Sequence, residues 1–548
     1  MRGVGSLDKI QIQNVRSLKD TGEVTLSPIT LLVGENSSGK STFLRLFPLI
    51  KQSISKRTDG PLLWAGDVDD YVDFGSFAET VTNDGSADMT FCFSFAVATR
   101  DDSAGMGLSM RSPKFKKMRN NLPDTCSVRY SITISQYSGH EYISKLNVRI
   151  NRSRFEFELP PTASEGKITV DGIPIQRASN QKRRTAFMYS HTEFARSAIF
   201  EYNLPLISDV VNRLTKQFVS DEPEMITSDG FFFSNQRSYA ISLMQFIGEC
   251  LCLGNSPDVI QEYMIPPATK SADIIDEMYQ NIIVTLSRQD ASANRKTFAD
   301  FELLFLYSFF SHIEDYLSAY FRRVHYIAPL RASAERYYRL RNLAIDEVDY
   351  QGKNLAMFLS GLEPRRLAEF QKWTQKYFGF HVLVHKSGGH LSIKITLGSA
   401  KEAVNMSDTG FGYSQILPII TQIWDLSTNP RPTRVPQKKV PLVIAIEQPE
   451  LHLHPALQSK LARALLSSLQ LAKDNGYNLQ LLIETHSETI LNYFGLAITR
   501  GALSSRDVSV VLFDKKPQTG HTEVRCTGFN DDGYLKDWMV GFFSPKEW

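Results

Sequence analysis

The sequence has little of what marks secreted, membrane-spanning or strongly basic proteins. Its 548 residues include only 5 cysteines, none in a Cys-x-x-Cys pair, which argues against a disulfide framework and a zinc ribbon. No run reaches the roughly 18 apolar residues that a membrane span requires, and the first residues lack the apolar core of a secretion signal. The 61 basic and 59 acidic residues leave a formal charge of +2, so the chain has no strong global positive field. We expect a cytoplasmic protein without membrane association.

What the sequence does contain is the pattern of an α/β domain whose two halves lie at opposite ends of the chain. Residues 29–33 form an apolar run near the start, and residues 442–446, 479–483 and 508–513 form three more near the end. Apolar runs that alternate with helical stretches are typical of a parallel sheet covered by helices. Apolar and polar residues alternate with period two over residues 71–175, which predicts an antiparallel β-lobe.

Helical periodicity dominates the next part of the chain, from about residue 190 to residue 323. Its heptads are not sustained, so we expect a compact bundle rather than a long coiled coil. The predicted division has three segments. They are an N-terminal lobe over residues 1–180, a helical insertion over residues 181–330 and a C-terminal lobe over residues 331–548.

A phosphate-binding loop follows the first apolar strand. The residues from Gly34 to Ser41 match the pattern G-x-x-x-x-G-K-[ST], and a helix is predicted to begin near Ser41. Glycines let the backbone turn its N–H groups around a β-phosphate, and the helix N-terminus adds the positive end of its dipole. Lys40 would neutralise phosphate oxygens and Ser41 would ligate Mg²⁺. The predicted cofactors are ATP and Mg²⁺, and the nucleotide-binding residues of this loop are Gly34, Glu35, Asn36, Ser37, Ser38, Gly39, Lys40, Ser41 and Thr42.

Carboxylates and a histidine follow two of the C-terminal strands. The strand over residues 442–446 leads to Glu447, where the Walker B carboxylate that helps to hold Mg²⁺ belongs. His486 follows the strand over residues 479–483, where it is placed to contact a γ-phosphate. The predicted catalytic residues are Glu447, Gln448, Glu450 and His486, and the predicted metal ligands are Ser41 and Glu447.

A second glycine-rich turn opens a helix between residues 407 and 415, which predicts another anion site at a helix N-terminus. One nucleotide does not need two such sites. We therefore expect this loop to serve the nucleotide of another subunit, so that two chains clamp two ATP molecules head to tail, in a dimer or in a larger oligomer of such dimers. The residues predicted to form this signature loop are Gly410, Gly412, Ser414 and Gln415.

The order of these motifs resembles the ABC-type ATPase heads of the SMC, RecF and overcoming-lysogenization-defect class. Within that class, four longer phrases resemble the PtuA-type ATPase subunits of Septu and retron-Septu antiphage systems: IEQPELHLHP, SDTGFGYSQILP, HYIAPLR and FNDDGYLKDWMVGFF. The resemblance implies an α/β ABC-type head, with a P-loop, a mixed sheet, an antiparallel β-lobe and a helical insertion. It also implies ATP-dependent dimerisation, a separate HNH nuclease subunit named PtuB and, in retron versions, a reverse transcriptase with its RNA–DNA hybrid (msDNA). Arg16 matches an arginine that often touches nucleotide in RecF-like heads.

Gln448 departs from the pattern of this class, because many members carry a glutamate there that polarises the attacking water. Glutamine cannot accept that proton. Either Glu450 supplies a carboxylate by another path, or hydrolysis is slow and ATP acts mainly as a clamp. Slow turnover is the hypothesis that we carry forward.

Three basic clusters are candidates for phosphate contacts, at residues 111–119, residues 182–184 and residues 331–341, with a solvated surface as the alternative. No nuclease constellation is recognisable in the chain, so we expect any chemistry on nucleic acid to belong to a partner. The alternative function is a RecF-like DNA-repair ATPase. A transporter motor is disfavoured by the missing membrane span and the long interval between Lys40 and Glu447.

Overall fold

The computed structural model describes most of the chain outside a large central part. The described residues are 7–56, 58–67, 70–82, 88–98, 123, 125–161, 166–175, 244–254, 291–341, 345–398, 402–429 and 440–537, with single residues or pairs elsewhere between 210 and 285. The basic clusters at 111–119 and 182–184 lie outside these residues. The chain folds into two compact units. The first comprises Met1–Asp8, Lys56–Pro61 and Ala87–Ser318, and the second comprises Lys9–Ser55, Leu62–Ser86 and Ala319–Trp548.

The strands and helices are numbered in chain order. The strands are β1 (Leu7–Val15), β2 (Leu18–Asp20), β3 (Val24–Thr25), β4 (Ile29–Gly34), β5 (Asp88–Ala98), β6 (Thr125–Tyr137), β7 (His140–Ile150), β8 (Ser153–Glu158), β9 (Lys167–Val170), β10 (Ile173–Pro174), β11 (Val324–Ile327), β12 (Tyr338–Arg339), β13 (Phe380–Ser387), β14 (His390–Leu397), β15 (Val404–Asn405), β16 (Leu442–Glu447), β17 (Leu479–Glu484), β18 (Val508–Lys515) and β19 (Thr522–Thr527). The helices are α1 (Lys40–Ser55), α2 (Phe77–Thr80), α3 (Ala291–Arg322), α4 (Leu355–Gly361), α5 (Pro364–Phe378), α6 (Phe411–Thr428), α7 (Pro455–Asp474) and α8 (Glu488–Thr499).

The first unit contains an antiparallel meander and most of a long helix. Each strand from β5 to β10 pairs with the next strand along the chain. Helix α3 packs aromatic side chains within this unit, where the ring of Tyr316 stacks on Phe95 with centroids 4.6 Å apart. Gly248 also lies against α3, because a Cβ there would clash with the carbonyl oxygen of Phe301. The predicted β-lobe, and the helical periodicity predicted up to residue 323, are thus confirmed over the residues that the structure describes here.

The second unit is built around a six-stranded sheet in the order β11-β16-β17-β4-β18-β19. All neighbouring pairs are parallel except β18 and β19, which are antiparallel. Strands β4, β16 and β17 are buried along their whole length, as a sheet covered on both faces requires. Because β4 comes from the start of the chain and its neighbours β17 and β18 from the end, the two predicted halves do form one sheet. The predicted mixed α/β fold is confirmed.

Helices lie against the six-stranded sheet, and alternate side chains of each strand face opposite layers. Ile29, Leu31 and Val33 of β4 belong to a large apolar core that also contains buried residues of α6, α7 and α8. Phe43 of α1 packs against Phe513 of β18, with ring centroids 5.7 Å apart. The phosphate-binding loop follows β4 at the carboxyl edge of this sheet, which is the edge where open α/β sheets bind their ligands.

Shorter antiparallel elements complete the second unit. Strands β13 and β14 form a hairpin, whose turn residues Gly388 and Gly389 have φ values of 55° and 79°. The period-two prediction was wrong over residues 77–80, which form α2. Ser76 and Glu79 make a capping box there, and its reciprocal hydrogen bonds favour a helical turn. The predicted three-segment division of the chain stays a prediction. Among the described helices, none combines the length and apolar character needed to span a bilayer.

Candidate functional site

The phosphate-binding loop connects β4 to α1 at the carboxyl edge of the parallel sheet. Ser37 and Gly39 have positive φ values of 59° and 91°, which turn the loop back on itself. A Cβ on Gly39 would lie 2.8 Å from the Oγ of Ser17, so glycine is needed for both the conformation and the close approach. The side chain of Lys40 is buried, and its Nζ donates a hydrogen bond to the carbonyl of Glu35 at 2.7 Å.

A cavity of about 270 Å³ opens beside this loop. The residues that line it come from the turn after β1, from the loop and α1, and from the residues at and just after the ends of β16 and β17. They are Arg16, Ser17, Asn36, Ser37, Ser38, Gly39, Lys40, Ser41, Thr42, Gln448, Glu484 and His486. The structure thus brings most of the predicted loop residues together with Arg16, Gln448 and His486. Gly34 and Glu35 form the base of the loop and do not line the cavity.

Ser41 meets a carboxylate inside this cavity. Its hydroxyl donates a hydrogen bond to the Oε1 of Glu484 at 2.9 Å. Glu484 ends β17, and its other oxygen, Oε2, is buried and has no hydrogen-bond partner among the described residues. Burial, together with the nearby Glu447, raises the pKa of Glu484 to about 7. A hydroxyl and a carboxylate are oxygen ligands of the kind that Mg²⁺ prefers, so the residues present fit the predicted ion.

Glu447, the predicted Walker B carboxylate, lies at the end of β16, and both of its carboxylate oxygens accept hydrogen bonds. Its Oε1 accepts hydrogen bonds from the Nε of Arg45 at 2.7 Å and from the hydroxyl of Tyr326 at 2.8 Å. Its Oε2 accepts a second bond from Arg45 at 2.8 Å. Hydrogen bonding to Glu447 raises the pKa of Arg45 above its usual range. Glu447 does not line the cavity that holds Ser41.

Gln448 is held in an unusual backbone conformation next to that carboxylate. Its φ is 41°, and its N–H donates to the carbonyl of Glu484 at 2.9 Å. Arg331 donates to the carbonyls of Glu447 and Gln448 at 3.0 and 3.3 Å. Because a left-handed glutamine is uncommon, this double anchoring indicates that the position of Gln448 in the cavity is determined by its surroundings. Arg331 itself is buried, so the hypothesis of a solvent-facing basic cluster is wrong for this member.

Glu450 positions the segment that carries His486. The hydroxyl of Thr485 donates to the Oε2 of Glu450 at 2.9 Å, and the N–H of His486 donates to the Oε1 at 2.6 Å. Ser487 then caps α8 by accepting a hydrogen bond from Ile490 N–H at 3.1 Å. Burial, followed by the charge of Lys40, lowers the pKa of His486 to about 4. The imidazole is therefore neutral at pH 7 and can approach a phosphate without adding a charge.

Arg16 enters the cavity from the turn after β1. Its backbone N–H donates to the carbonyl of Thr80 at 2.7 Å, and its guanidinium lies over the ring of Phe74, 4.5 Å from the centroid. Burial, followed by the charge of Arg45, lowers the pKa of Arg16. The guanidinium is thus held in place at the cavity. Both effects disfavour its positive charge, so an anion bound in the cavity would stabilise it.

The second glycine-rich loop lies at the start of α6 and does not line the cavity. Gly410 has a φ of 88° and precedes the helix without a side-chain cap, and Phe411 is half exposed. Ser414 and Gln415 are buried within the helix, and the Ser414 hydroxyl donates to the carbonyl of Phe411 at 2.7 Å. A Cβ on Gly412 would meet the carbonyl of His452 at 3.5 Å, so this helix start packs on the turn after β16.

Sequence reasoning missed three residues of this region. Arg45 lies one turn after Ser41 in α1, a spacing that puts both on one helix face, and this could have indicated its partnership with a strand-end carboxylate. Glu484 directly precedes Thr485 and His486, so its place at a strand end was visible. Tyr326 could not have been assigned, because its contact depends on the pairing of β11 with β16.

These features are those of a P-loop at the carboxyl edge of a parallel sheet. The chain belongs to the AAA ATPase domain family (AAA_15), which matches residues 6–226 and 269–491. A comparison with curated proteins gave no match.

Solved structures also resemble the chain over most of its length. The SMC head domain from Thermotoga maritima covers 95% of this chain and 98% of its own, with 9% sequence identity and a TM-score of 0.32. A structure of the recombination mediator protein RecF-ATPrS in the RecFOR pathway covers 94% of this chain and 97% of its own, with 13% identity and a TM-score of 0.23.

Proposed function

We propose that the protein binds ATP with Mg²⁺ in the cavity beside the phosphate-binding loop and hydrolyses it slowly. The observation that carries this proposal is the convergence of Lys40, Ser41, Gln448 and His486 on one cavity. The loop amides and Lys40 would hold the phosphates, Mg²⁺ would neutralise their charge, and the neutral His486 would donate a hydrogen bond to the γ-phosphate. Membership of the AAA ATPase domain family supports the same activity.

Slow hydrolysis follows from the residue at position 448. Gln448 can orient a water but cannot take its proton, and both oxygens of Glu450 are occupied by Thr485 and His486. We expect Gln448→Glu to raise the rate of ATP turnover at least about 10-fold, because a positioned general base contributes about 10²-fold or more. Phosphate release under saturating ATP and Mg²⁺ measures this rate.

Gln448→Ala is the matched control for that experiment, since it removes the amide without supplying a base and should not raise the rate. A wild-type rate of tens of turnovers per second, at or above the typical enzyme value of about 10 per second, would contradict slow turnover. An unchanged rate in Gln448→Glu would contradict the assignment of position 448.

The signature loop supports a head-to-tail dimer, because it sits on a helix start outside the cavity of its own chain. We expect ATP to double the mass measured by light scattering, and Phe411→Glu to prevent this, since it puts a carboxylate where a partner's phosphates would approach. Lys40→Met should prevent it equally. A mixture of these two variants should form hybrid dimers, because one composite site is then intact. If the mixture stays monomeric while wild-type protein dimerises, the head-to-tail arrangement is wrong.

The longer phrases shared with PtuA-type subunits support a role in antiphage defence. In this proposal the ATP-bound dimer, or a larger oligomer of it, scaffolds and restrains a separate HNH nuclease subunit like PtuB. A reverse transcriptase and its msDNA join in a retron version, and nucleic acid is reached through the complex. The test is co-purification of the tagged chain expressed with its neighbouring genes. An HNH subunit in the eluate supports this proposal, whereas binding to DNA ends or gaps without such a subunit favours the RecF-like alternative.

A further inference from the structure

Glu484 lies one strand closer to the phosphate-binding loop than the Walker B residue. Strand β17 is inserted between β4 and β16. In the sheet register Glu484 stands opposite Glu447 on one side and opposite Leu32 of β4 on the other. The end of β17 therefore brings a carboxylate to the edge of the loop itself, and β16 places its own carboxylate one strand farther away.

The two carboxylates also differ in the number of hydrogen bonds that they accept. Both oxygens of Glu447 accept hydrogen bonds from Arg45, and Tyr326 donates a further one. Glu484 lines the cavity and receives one hydrogen bond, from the hydroxyl of Ser41. Its Oε2 has no hydrogen-bond partner among the described residues, and it is shielded from water because Glu484 is only 1% exposed. A buried polar atom of this kind is usually paired with a protein group, a water or an ion.

Lys40 and Arg45 lie near Glu484 and favour its charged form, but the contacts of the described residues include no ion pair to it. The charge of Glu447 is neutralised by Arg45, which forms a bidentate ion pair with it. The hydrogen bond that Glu484 receives from Ser41 comes from a neutral group. The P-loop serine is the residue whose hydroxyl ligates Mg²⁺ in sites of this type, so a cation bound there would meet the Glu484 carboxylate directly or through one water.

We propose that Glu484, rather than Glu447, is the carboxylate that holds Mg²⁺ together with Ser41. Glu447 instead holds the side chains of Arg45 and Tyr326 in place through their hydrogen bonds to its carboxylate. This inference rests on the proposed ATP site, and it deepens that proposal by assigning the metal to a residue outside the Walker B position.

The test measures how Mg²⁺ supports nucleotide binding, using a fluorescent ATP analogue titrated at increasing Mg²⁺ concentrations and in EDTA. Glu484→Gln keeps the shape of the side chain and an acceptor for Ser41, but removes the charge. We expect it to raise the Mg²⁺ concentration at half-maximal binding about 10-fold, the usual scale for a lost metal-supporting group. In EDTA its affinity for the analogue should equal or exceed that of wild type, because a negative charge next to the phosphates is gone.

Glu447→Gln is the matched control and should keep the wild-type Mg²⁺ midpoint. Direct Mn²⁺ binding in the presence of nucleotide, followed by electron paramagnetic resonance, should show the same order of the variants. Glu484→Asp retains the charge with a shorter reach and should shift the midpoint less than Glu484→Gln, which keeps the test valid if the glutamine variant folds poorly.

An unchanged midpoint in Glu484→Gln, or a shift in Glu447→Gln alone, would overturn the assignment and leave the ATP site intact. Failure of the wild-type protein to bind the analogue with or without Mg²⁺ would instead refute the proposed function.

Discussion

Replacing Lys40 with methionine is expected to weaken ATP binding about 100-fold, the largest loss that a single change at this site should cause. The ammonium is the cation that the loop itself directs at the phosphates, and hydrogen bonds to charged groups contribute about 1.5–3 kcal/mol each. Methionine retains the apolar stem that Lys40 buries, so the loop should keep its shape. Equilibrium titration with a fluorescent ATP analogue measures the effect.

Lys372→Met is the matched control for Lys40→Met, because Lys372 is an exposed lysine of α5 that does not line the cavity. Its affinity for the analogue should remain that of wild type. The melting temperature of Lys40→Met without nucleotide should stay close to the wild-type value, which separates lost binding from lost folding. Retained affinity in a folded Lys40→Met variant would place the nucleotide elsewhere.

Replacing Arg45 with methionine is expected to destabilise the protein by about 3–5 kcal/mol, because it leaves Glu447 buried and without its ion-pair partner. The two partners are unequally buried, since the side chain of Arg45 is 35% exposed and that of Glu447 only 2%. Glu447→Gln should therefore cost less than Arg45→Met, because the arginine left behind can reach water. Chemical denaturation of nucleotide-free protein measures both changes.

The double variant Arg45→Met with Glu447→Gln completes this test. Removing the buried charge along with its partner should recover much of the stability lost in Arg45→Met. Arg365→Met is the control for a surface pair, because Arg365 bonds Glu369 on an exposed helix face and should contribute less than about 1 kcal/mol. A loss in Glu447→Gln that exceeds the loss in Arg45→Met would contradict the burial argument.

The periodicity of the sequence predicted the parallel strands, the β-lobe and the helical stretch that ends near residue 323, because each pattern depends on which side chains of one segment are buried. The phosphate-binding loop was equally predictable, because the spacing of its glycines determines its conformation locally. Contacts between side chains of different strands and helices were not predictable. Glu447 was expected to meet the metal, yet its contact with Arg45 and Tyr326 depends on how α1 and β11 pack beside β16. Glu450 was considered as a possible base, and only the fold shows that Thr485 and His486 occupy it.

The position of β4 in its sheet has a consequence for how the protein is made. This strand is synthesised long before its two neighbours, β17 and β18, which begin at Leu479 and Val508. During translation the phosphate-binding loop therefore lacks its flanking strands until the chain has been extended past Val508. Such pairing between distant segments forms slowly, because closing a long loop is entropically unfavourable. A growing chain should acquire the ability to bind nucleotide only after β18 has been synthesised, so that chains interrupted before Val508 should not hold ATP.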